Sequence, residues 1–498
     1  MRIRLWFLLV VGTVVFILCS CLNQAQKDER LAHKACASCH LFPGPEVLDK
    51  KTWEHGVFPQ MSFRMGVDFT PLSDISEDDR PEVMKSLPAN ALVSTDDWER
   101  IKRFYLDNAP DSLPVEVPTI SKKLEQFEPE TRLLGGFPLL TFVKLDSVEN
   151  KFYAGSRLKK LYRLNENLYP EDSFDLPSPP SQILFTKPDP VILLMGIMDP
   201  NDQPRGEISI LRLNSQNGSR LIDSLKRPVY FDITDLDKDG YDDIVVCAFG
   251  NYSGSLLAFK NLGYGKYERF VLQNLPGARK VIIRDFDGNG MDDILALMTQ
   301  GDERIVLVHN LGDFNFRVTT LLRFPPVYGS SYFDVADFNK DGKFDILYTN
   351  GDNADYSMVL KPYHGVRIFL NDGNNGFTQS WFYNMHGASQ AKARDFDGDG
   401  DLDIAAISFF PDFENHPEQG FIYFENEGGK FIPQVTEFGA KGRWLTMEAT
   451  DIDKDGDCDL MLGALDFNSG VPAGLLNRWT KERISILVLR NKQHRRTP

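Results

Sequence analysis

One nine-residue pattern recurs five times between residues 235 and 459, and it restricts the possible folds more than any other feature of the chain. The first copy is Asp235-Leu236-Asp237-Lys238-Asp239-Gly240-Tyr241-Asp242-Asp243. The second is Asp285-Phe286-Asp287-Gly288-Asn289-Gly290-Met291-Asp292-Asp293. The third is Asp337-Phe338-Asn339-Lys340-Asp341-Gly342-Lys343-Phe344-Asp345, and the fourth is Asp395-Phe396-Asp397-Gly398-Asp399-Gly400-Asp401-Leu402-Asp403. The fifth is Asp451-Ile452-Asp453-Lys454-Asp455-Gly456-Asp457-Cys458-Asp459. Their starts lie 50, 52, 58 and 56 residues apart, and the early copies run straight into apolar stretches such as Ile244-Val245-Val246, Ile294-Leu295 and Ile346-Leu347. A period near fifty with several short strands per unit is the signature of propeller blades.

The same pattern has a chemistry. Side-chain oxygens stand at positions 1, 3, 5 and 9, and the residue at position 7 (Tyr241, Met291, Lys343, Asp401 or Asp457) offers its backbone carbonyl. Calcium takes such sets of hard oxygens, and the glycine at position 6 permits the tight turn. These are not EF-hands, which place a bidentate glutamate at position 12 between two helices. The five copies hold 18 carboxylates at positions 1, 3, 5 and 9. Such crowding calls for cations, so about five structural calcium ions are expected.

Each repeat supplies a strand, the loop and further strands, in the first copy Ser255 to Phe259 and Tyr267 to Leu272. Upstream, residues 135 to 228 read as two more units without acidic loops. Phe152 to Gly155 and Lys160 to Arg163 are strands of one, and Val191 to Gly196 and Ile208 to Leu213 are strands of the next. Two plus five makes seven blades, and the expected fold is mainly β, a seven-bladed propeller preceded by a small all-α domain.

Near the N-terminus stands Cys36-Ala37-Ser38-Cys39-His40. Two thiols three apart reach both vinyl groups of one porphyrin, and the adjacent imidazole lies under the iron as proximal ligand. One covalent haem c is therefore expected on Cys36, Cys39 and His40. The competing readings are a redox dithiol and a zinc site, which needs a second ligand pair where none is near. Residues 26 to 36 read as a polar helix leading into the motif. Ser94-Thr95-Asp96-Asp97 reads as the start of a second helix, with Trp98, Ile101 and Tyr105 on one face and Asn108-Ala109-Pro110 at its end. For the sixth iron ligand, Met61, Met65, Met84 and His55 are candidates. Met61 is favoured because Phe58-Pro59-Gln60-Met61 reads as an extended approach to the far haem face.

The repeats resemble the FG-GAP/VCBS family, whose calcium loops join the first two strands of a blade. The haem segment, similar to class I cytochromes c, followed by such a propeller resembles a group of bacterial lipoproteins. In that group, Phe58 to Met61 and Gly351-Asp352-Asn353-Ala354-Asp355-Tyr356 look like recurring signatures, and the resemblance implies Met61 as ligand.

The first residues read as an export signal. Arg2 and Arg4 precede Leu5 to Leu18, an apolar run of fourteen residues too short for an ordinary membrane span. It ends Leu18-Cys19-Ser20-Cys21, which resembles a bacterial lipobox with Cys21 as the lipidated residue. No Asp follows Cys21, which by resemblance to sorting rules favours the outer membrane, facing the periplasm or the cell surface. The expected organisation is a signal peptide over 1–20, a tether over 21–28, a cytochrome c-like domain over 29–118, a linker over 119–134 and the propeller over 135–492. Cys247 and Cys458 lie in separate repeats and read as packing residues.

A net charge of -16 argues against nucleic acid as a partner. There is no nucleotide loop, no serine-nucleophile elbow and no second C-x-x-C-H. If the acidic loops occupy one face, the loops between second and third strands open on the other. They include Met198 to Asp202, Asn251-Tyr252, Gln300 to Asp302, Gly351 to Tyr356, Tyr363-His364, Phe413 to His416 and Asp466 to Asn468, residues suited to a polar ligand such as a glycan. The leading expectation is electron relay to a redox partner protein. The alternatives are a haem-linked dehydrogenase acting on a sugar or alcohol at the propeller mouth, and a surface adhesion module.

Overall fold

The computed structural model describes residues 24–212, 218–352 and 357–493. The signal peptide, Cys21 and the Asn353 to Tyr356 part of the second signature lie outside the described residues. Among the described residues no helix is long and apolar enough to cross a membrane. The chain divides into two compact units, residues 1–114 with 325–327, and residues 115–324 with 328–498.

The larger unit consists of seven four-stranded sheets. Blade 1 runs from Leu140–Asp146 to Pro170–Asp175, and blade 2 from Pro180–Leu184 to Ser219–Leu225. Blades 3 to 6 begin at Pro228–Thr234, Ala278–Arg284, Ser330–Ala336 and Ala388–Arg394. Within these blades the strands are consecutive and antiparallel, and each first strand neighbours the first strands of the adjacent blades, closing a ring. A register shift follows the first residue of each of these innermost strands, a bulge that bends it along the axis.

The second strands explain the apolar runs of the sequence. Asp243–Ala248, Asp293–Met298, Asp345–Asn350, Asp403–Ser408 and Asp459–Ala464 are buried along their whole length, because both faces of each blade are covered by neighbouring blades. The core is accordingly seven apolar clusters, one at each blade junction. Cys247 is fully buried in one of them, and none of the four described cysteines forms a disulfide.

Blade 7 is built from both ends of the unit. Trp444–Thr450, Asp459–Ala464 and Ile486–Asn491 come from the C-terminal end, and Phe127–Arg132 adds the outermost strand, in register from Phe127 opposite Asn491 to Arg132 opposite Ile486. The sequence reading leaves Phe127–Arg132 inside the linker 119–134. The structure instead uses it to cover the exposed edge of the last strand, which otherwise presents unpaired backbone groups. Phe127 anchors it, 1% exposed between the rings of Phe396 and Tyr423. The segment before it follows blade 6, through Leu124 N–H to Val435 O at 2.8 Å and a Lys122 to Glu425 ion pair.

The smaller unit is helical. A helix over 24–36 ends at the cysteine motif. The helix Thr95–Asn108 starts where its capping residues indicate: the Ser94 hydroxyl accepts the Asp97 N–H at 3.1 Å, and Trp98, Ile101 and Tyr105 form its buried face. The two helices are tied by Arg100 and Asp28 at 2.7 Å and by a shared core of Ala32, Trp53, Phe58, Trp98, Ile101 and Tyr105. The segment Phe58 to Met61, expected to be extended, lies in the helix Phe58–Arg64. Pro59 stands just after the π-helical turn Trp53–Val57, so the chain is helical before the proline and continues through it.

Candidate functional site

All five acidic loops join the first and second strands of blades 3 to 7 and share one hydrogen-bond scheme. The carboxylate at position 1 accepts backbone N–H groups of its own loop, as Asp235 does from Asp239 and Gly240 at 3.1 and 2.9 Å, and Asp395 from Gly398 and Gly400 at 2.8 and 3.0 Å. The side chain at position 5 accepts the N–H of position 7, with Asp239, Asn289, Asp341, Asp399 and Asp455 in that role. The loop is therefore held in a turn that directs the remaining oxygens to one point.

Position 9 has a second duty that spacing alone does not disclose. Asp243, Asp293, Asp345, Asp403 and Asp459 are all 0 or 1% exposed. One oxygen of each accepts the N–H of position 2 in its loop, at 2.9 to 3.1 Å. The other accepts the N–H of an asparagine ending the third strand, Asn261, Asn310, Asn371, Asn426 or Asn491, at 2.7 to 2.9 Å. Each asparagine amide in turn donates to the carbonyl of position 8, at 3.0 to 3.1 Å. This Asp–Asn clamp fastens loop, second strand and third strand together. Burial pushes the Asp243, Asp403 and Asp459 carboxyls up to about 6 against the pull of their backbone donors, and raises Asp293 and Asp345 as well.

The donor set fits a hard divalent cation. Ligand atoms converge within 4.8 Å in the groups Asp235, Asp237 and Asp239, Asp395, Asp397 and Asp399, and Asp451, Asp453 and Asp459. In blade 4 the converging group is Asp287, Asp293 and His309, a candidate that the nine-residue pattern misses because it stands on the third strand. Oδ1 of Asp237 is buried without a hydrogen-bond partner, while Oδ2 of the same carboxylate takes the Lys260 ammonium. The loop 337–345, with Asn339 at position 3, brings no three acidic or histidine groups together. Tyr241 and Lys343 at position 7 leave their side chains exposed or half-exposed, in keeping with a carbonyl role.

In the helical unit Cys36 is part-buried in the core beside Tyr105, whose hydroxyl donates to Pro43 O at 2.9 Å, while Cys39 is exposed. Nδ1 of His40 lies 3.0 Å from Leu41 O, and a ring N–H donated to this carbonyl assigns the imidazole lone pair to Nε2. Two thiols at a helix end and an oriented imidazole fit porphyrin attachment. Met61 and Met65 pack against the core cluster that includes Cys36. Met84 is 55% exposed, and the exposed His55 pairs with Glu54 at 3.7 Å. A groove of about 530 Å³ beside the Phe58–Arg64 helix is lined by Phe58, Pro59, Ser62, Trp98 and Lys102 among others, and the cysteine motif lies outside that lining.

Of the loops assigned to a ligand-binding mouth, several are spent on the fold. Asp202 accepts the N–H groups of Asn251, Tyr252 and Ser253 at 2.8 to 3.0 Å, and Asp466 accepts that of Arg443 at 2.8 Å. Arg443, fully buried, is stacked within 3.9 to 5.3 Å of Phe409, Phe410, Phe413 and Phe467. His364 is buried too, and burial holds it well below the usual imidazole range.

No curated protein matches the chain. Among solved structures, the N-terminal domain of Nup159 is 11% identical, with a TM-score of 0.43 over 76% of this chain and 99% of that one. The Neurospora crassa Pan2 WD40 domain is 11% identical, with a TM-score of 0.45 over 74% and 97%. A family model described as FG-GAP-like repeat matches residues 235–296, 285–348 and 395–462, each span taking in at least one acidic loop and the strands around it. The larger unit is thus a seven-bladed β-propeller that carries FG-GAP-like repeats.

Proposed function

We propose that this chain is a haem c-bearing electron-transfer protein, lipid-anchored at Cys21 in the outer membrane, whose calcium-stabilised propeller docks a redox partner or a polar ligand. The observation that carries the reading is Cys36-x-x-Cys39-His40 at a helix end, with the His40 Nδ1 engaged by Leu41 O. Cys36 and Cys39 would hold the porphyrin by thioethers and His40 would ligate its iron, with Met61 the favoured sixth ligand. When bound, the group supplies one-electron exchange. The chain's own contribution is to hold the axial side chains in place and, through Trp53, Phe58 and Tyr105, to line the site with apolar and aromatic surface.

One electron at a time suits a relay. Oxidation of a sugar or alcohol removes two, and Asp202 spends its carboxylate on three backbone N–H groups. The test is expression of the full chain with haem-attachment machinery. Covalent haem on the chain and its loss in Cys36→Ala/Cys39→Ala are expected, with an altered low-spin spectrum in Met61→Leu. Mature protein without a Soret band overturns the proposal. Haem reduction by a sugar or alcohol without any protein partner transfers support to the dehydrogenase reading.

A further inference from the structure

The five loops share a backbone but not an electrostatic setting. The difference lies in the residue just before the clamp asparagine on the third strand, which is Lys260, His309, Leu370, Glu425 and Arg490 in blades 3 to 7. In blade 3 the Lys260 ammonium touches Asp237 and lies 3.5 Å from Asp239, both metal-position carboxylates of that loop. In blade 7 the Arg490 guanidinium lies 3.7 Å from Asp453 and 3.5 Å from Asp459. In blade 4 the His309 Nδ1 is 3.2 Å from Asp287, and in blade 6 the corresponding residue is Glu425, which is paired with Lys122. Blade 5 has the uncharged Leu370, and the cation beside its loop, Lys343 of the loop itself, is 40% exposed and reaches one carboxylate, Asp341 at 3.4 Å.

We propose that Lys260 and Arg490, each facing two ligand-position carboxylates from the third strand, are built-in counter-cations of the loops 235–243 and 451–459, so that these two loops hold calcium less tightly than those of blades 4, 5 and 6. The inference rests on the reading that these loops hold calcium. A fixed positive charge 3.5 to 3.7 Å from the ligand carboxylates satisfies them and repels a divalent ion at the same point. Neither cation leaves at no cost. Arg490 is 7% exposed on a strand paired on both sides, and also faces Glu130 at 3.9 Å. Lys260 lies 5.2 Å over the Phe314 ring and is 25% exposed, so it is the more displaceable of the two.

The experiment is calcium binding to the chelator-treated full chain, read by equilibrium dialysis with radioactive calcium. About three tight ions per chain are expected, five loops less two. Lys260→Gln is expected to add a tight ion, with the affinity of that loop rising about tenfold or more. Leu370→Lys, at a part-buried position that tolerates a long side chain, is expected to remove one. Circular dichroism of each variant separates these effects from misfolding, and the two substitutions act in opposite directions, which a general loss of structure does not reproduce. Five equal tight sites in the unaltered chain, or a stoichiometry unmoved by both substitutions, overturn this inference alone. A chain that binds no calcium overturns the calcium reading as well.

Discussion

Truncating Asn310 separates the clamp's role within a blade from its role between blades. Its Nδ2 donates to Asp292 O at 3.1 Å inside blade 4 and to Leu236 O at 2.8 Å across the junction in blade 3, and its Oδ1 accepts Gly312 N–H at 3.0 Å. Asn371 is the internal control. It makes the corresponding bonds within its blade, to Phe344 O at 3.0 Å and from Gly373 N–H at 2.8 Å, but none across a junction. The Asp292, Phe344, Gly312 and Gly373 groups stand at half-exposed or exposed loops, where water replaces the lost partner. Leu236 is 1% exposed, so its carbonyl is left without a partner in Asn310→Ala. A buried unsatisfied carbonyl costs about 1–3 kcal/mol and an exposed bond about 0.5–1 kcal/mol, which puts Asn310→Ala near ~3 kcal/mol and Asn371→Ala near ~1 kcal/mol. The assay is urea unfolding followed by the β-sheet circular dichroism signal at saturating calcium, so that linkage to the metal does not vary between variants. Equal losses from the two substitutions refute the reasoning, because the junction bond is then not what the asparagine contributes.

The clamp aspartates set a pH dependence. Their folded-state carboxyls titrate near 6 for Asp243, Asp403 and Asp459, above the ordinary 3.8, so the stability they contribute is full below the ordinary value and lost as pH rises through 6. The metal-free propeller is expected to melt higher at pH about 5 than at pH about 7, and calcium, which favours the ionised form, is expected to erase or invert the difference; thermal melts with and without chelator at both pH values check this. The closing strand offers a third check. Phe127→Ala removes a ring packed against Phe396 and Tyr423 and is expected to cost about 3–5 kcal/mol in the same urea assay. A propeller fragment beginning at residue 134, which bares the edge of Ile486–Asn491, is expected to aggregate where one beginning at 119 stays monomeric by size-exclusion chromatography.

Much of this molecule is written in short-range patterns. The fifty-residue recurrence of the acidic loops specifies blades, because each loop forces a turn and each following run of apolar residues needs cover on both faces. The helix Thr95–Asn108 is legible from its cap and from the spacing of Trp98, Ile101 and Tyr105, since both are features of one turn and its neighbours. The cysteine motif is legible as a pattern for the same reason, because it is five contiguous residues at the end of a helix. What the sequence misstates is also local, the proline at Pro59, whose ring is compatible with a loop or with a helix, and which only the packing of Trp53, Val57 and Phe58 resolves.

The remainder depends on residues far apart in the chain. Phe127–Arg132 has no partner within reach in sequence, and only the closed ring brings Ile486–Asn491 beside it. Lys260, His309, Glu425 and Arg490 lie outside the nine-residue pattern and meet the acidic loops only after the third strand has folded back on the second. The ninth aspartate looks like one more metal ligand in the sequence. Its burial, and the two backbone N–H groups that converge on it, exist only once two strands and a loop are assembled. Local propensity and spacing therefore specify how many blades there are and where their loops fall, whereas charge pairing and burial, which are sums over neighbours from several strands, are set by the tertiary structure alone.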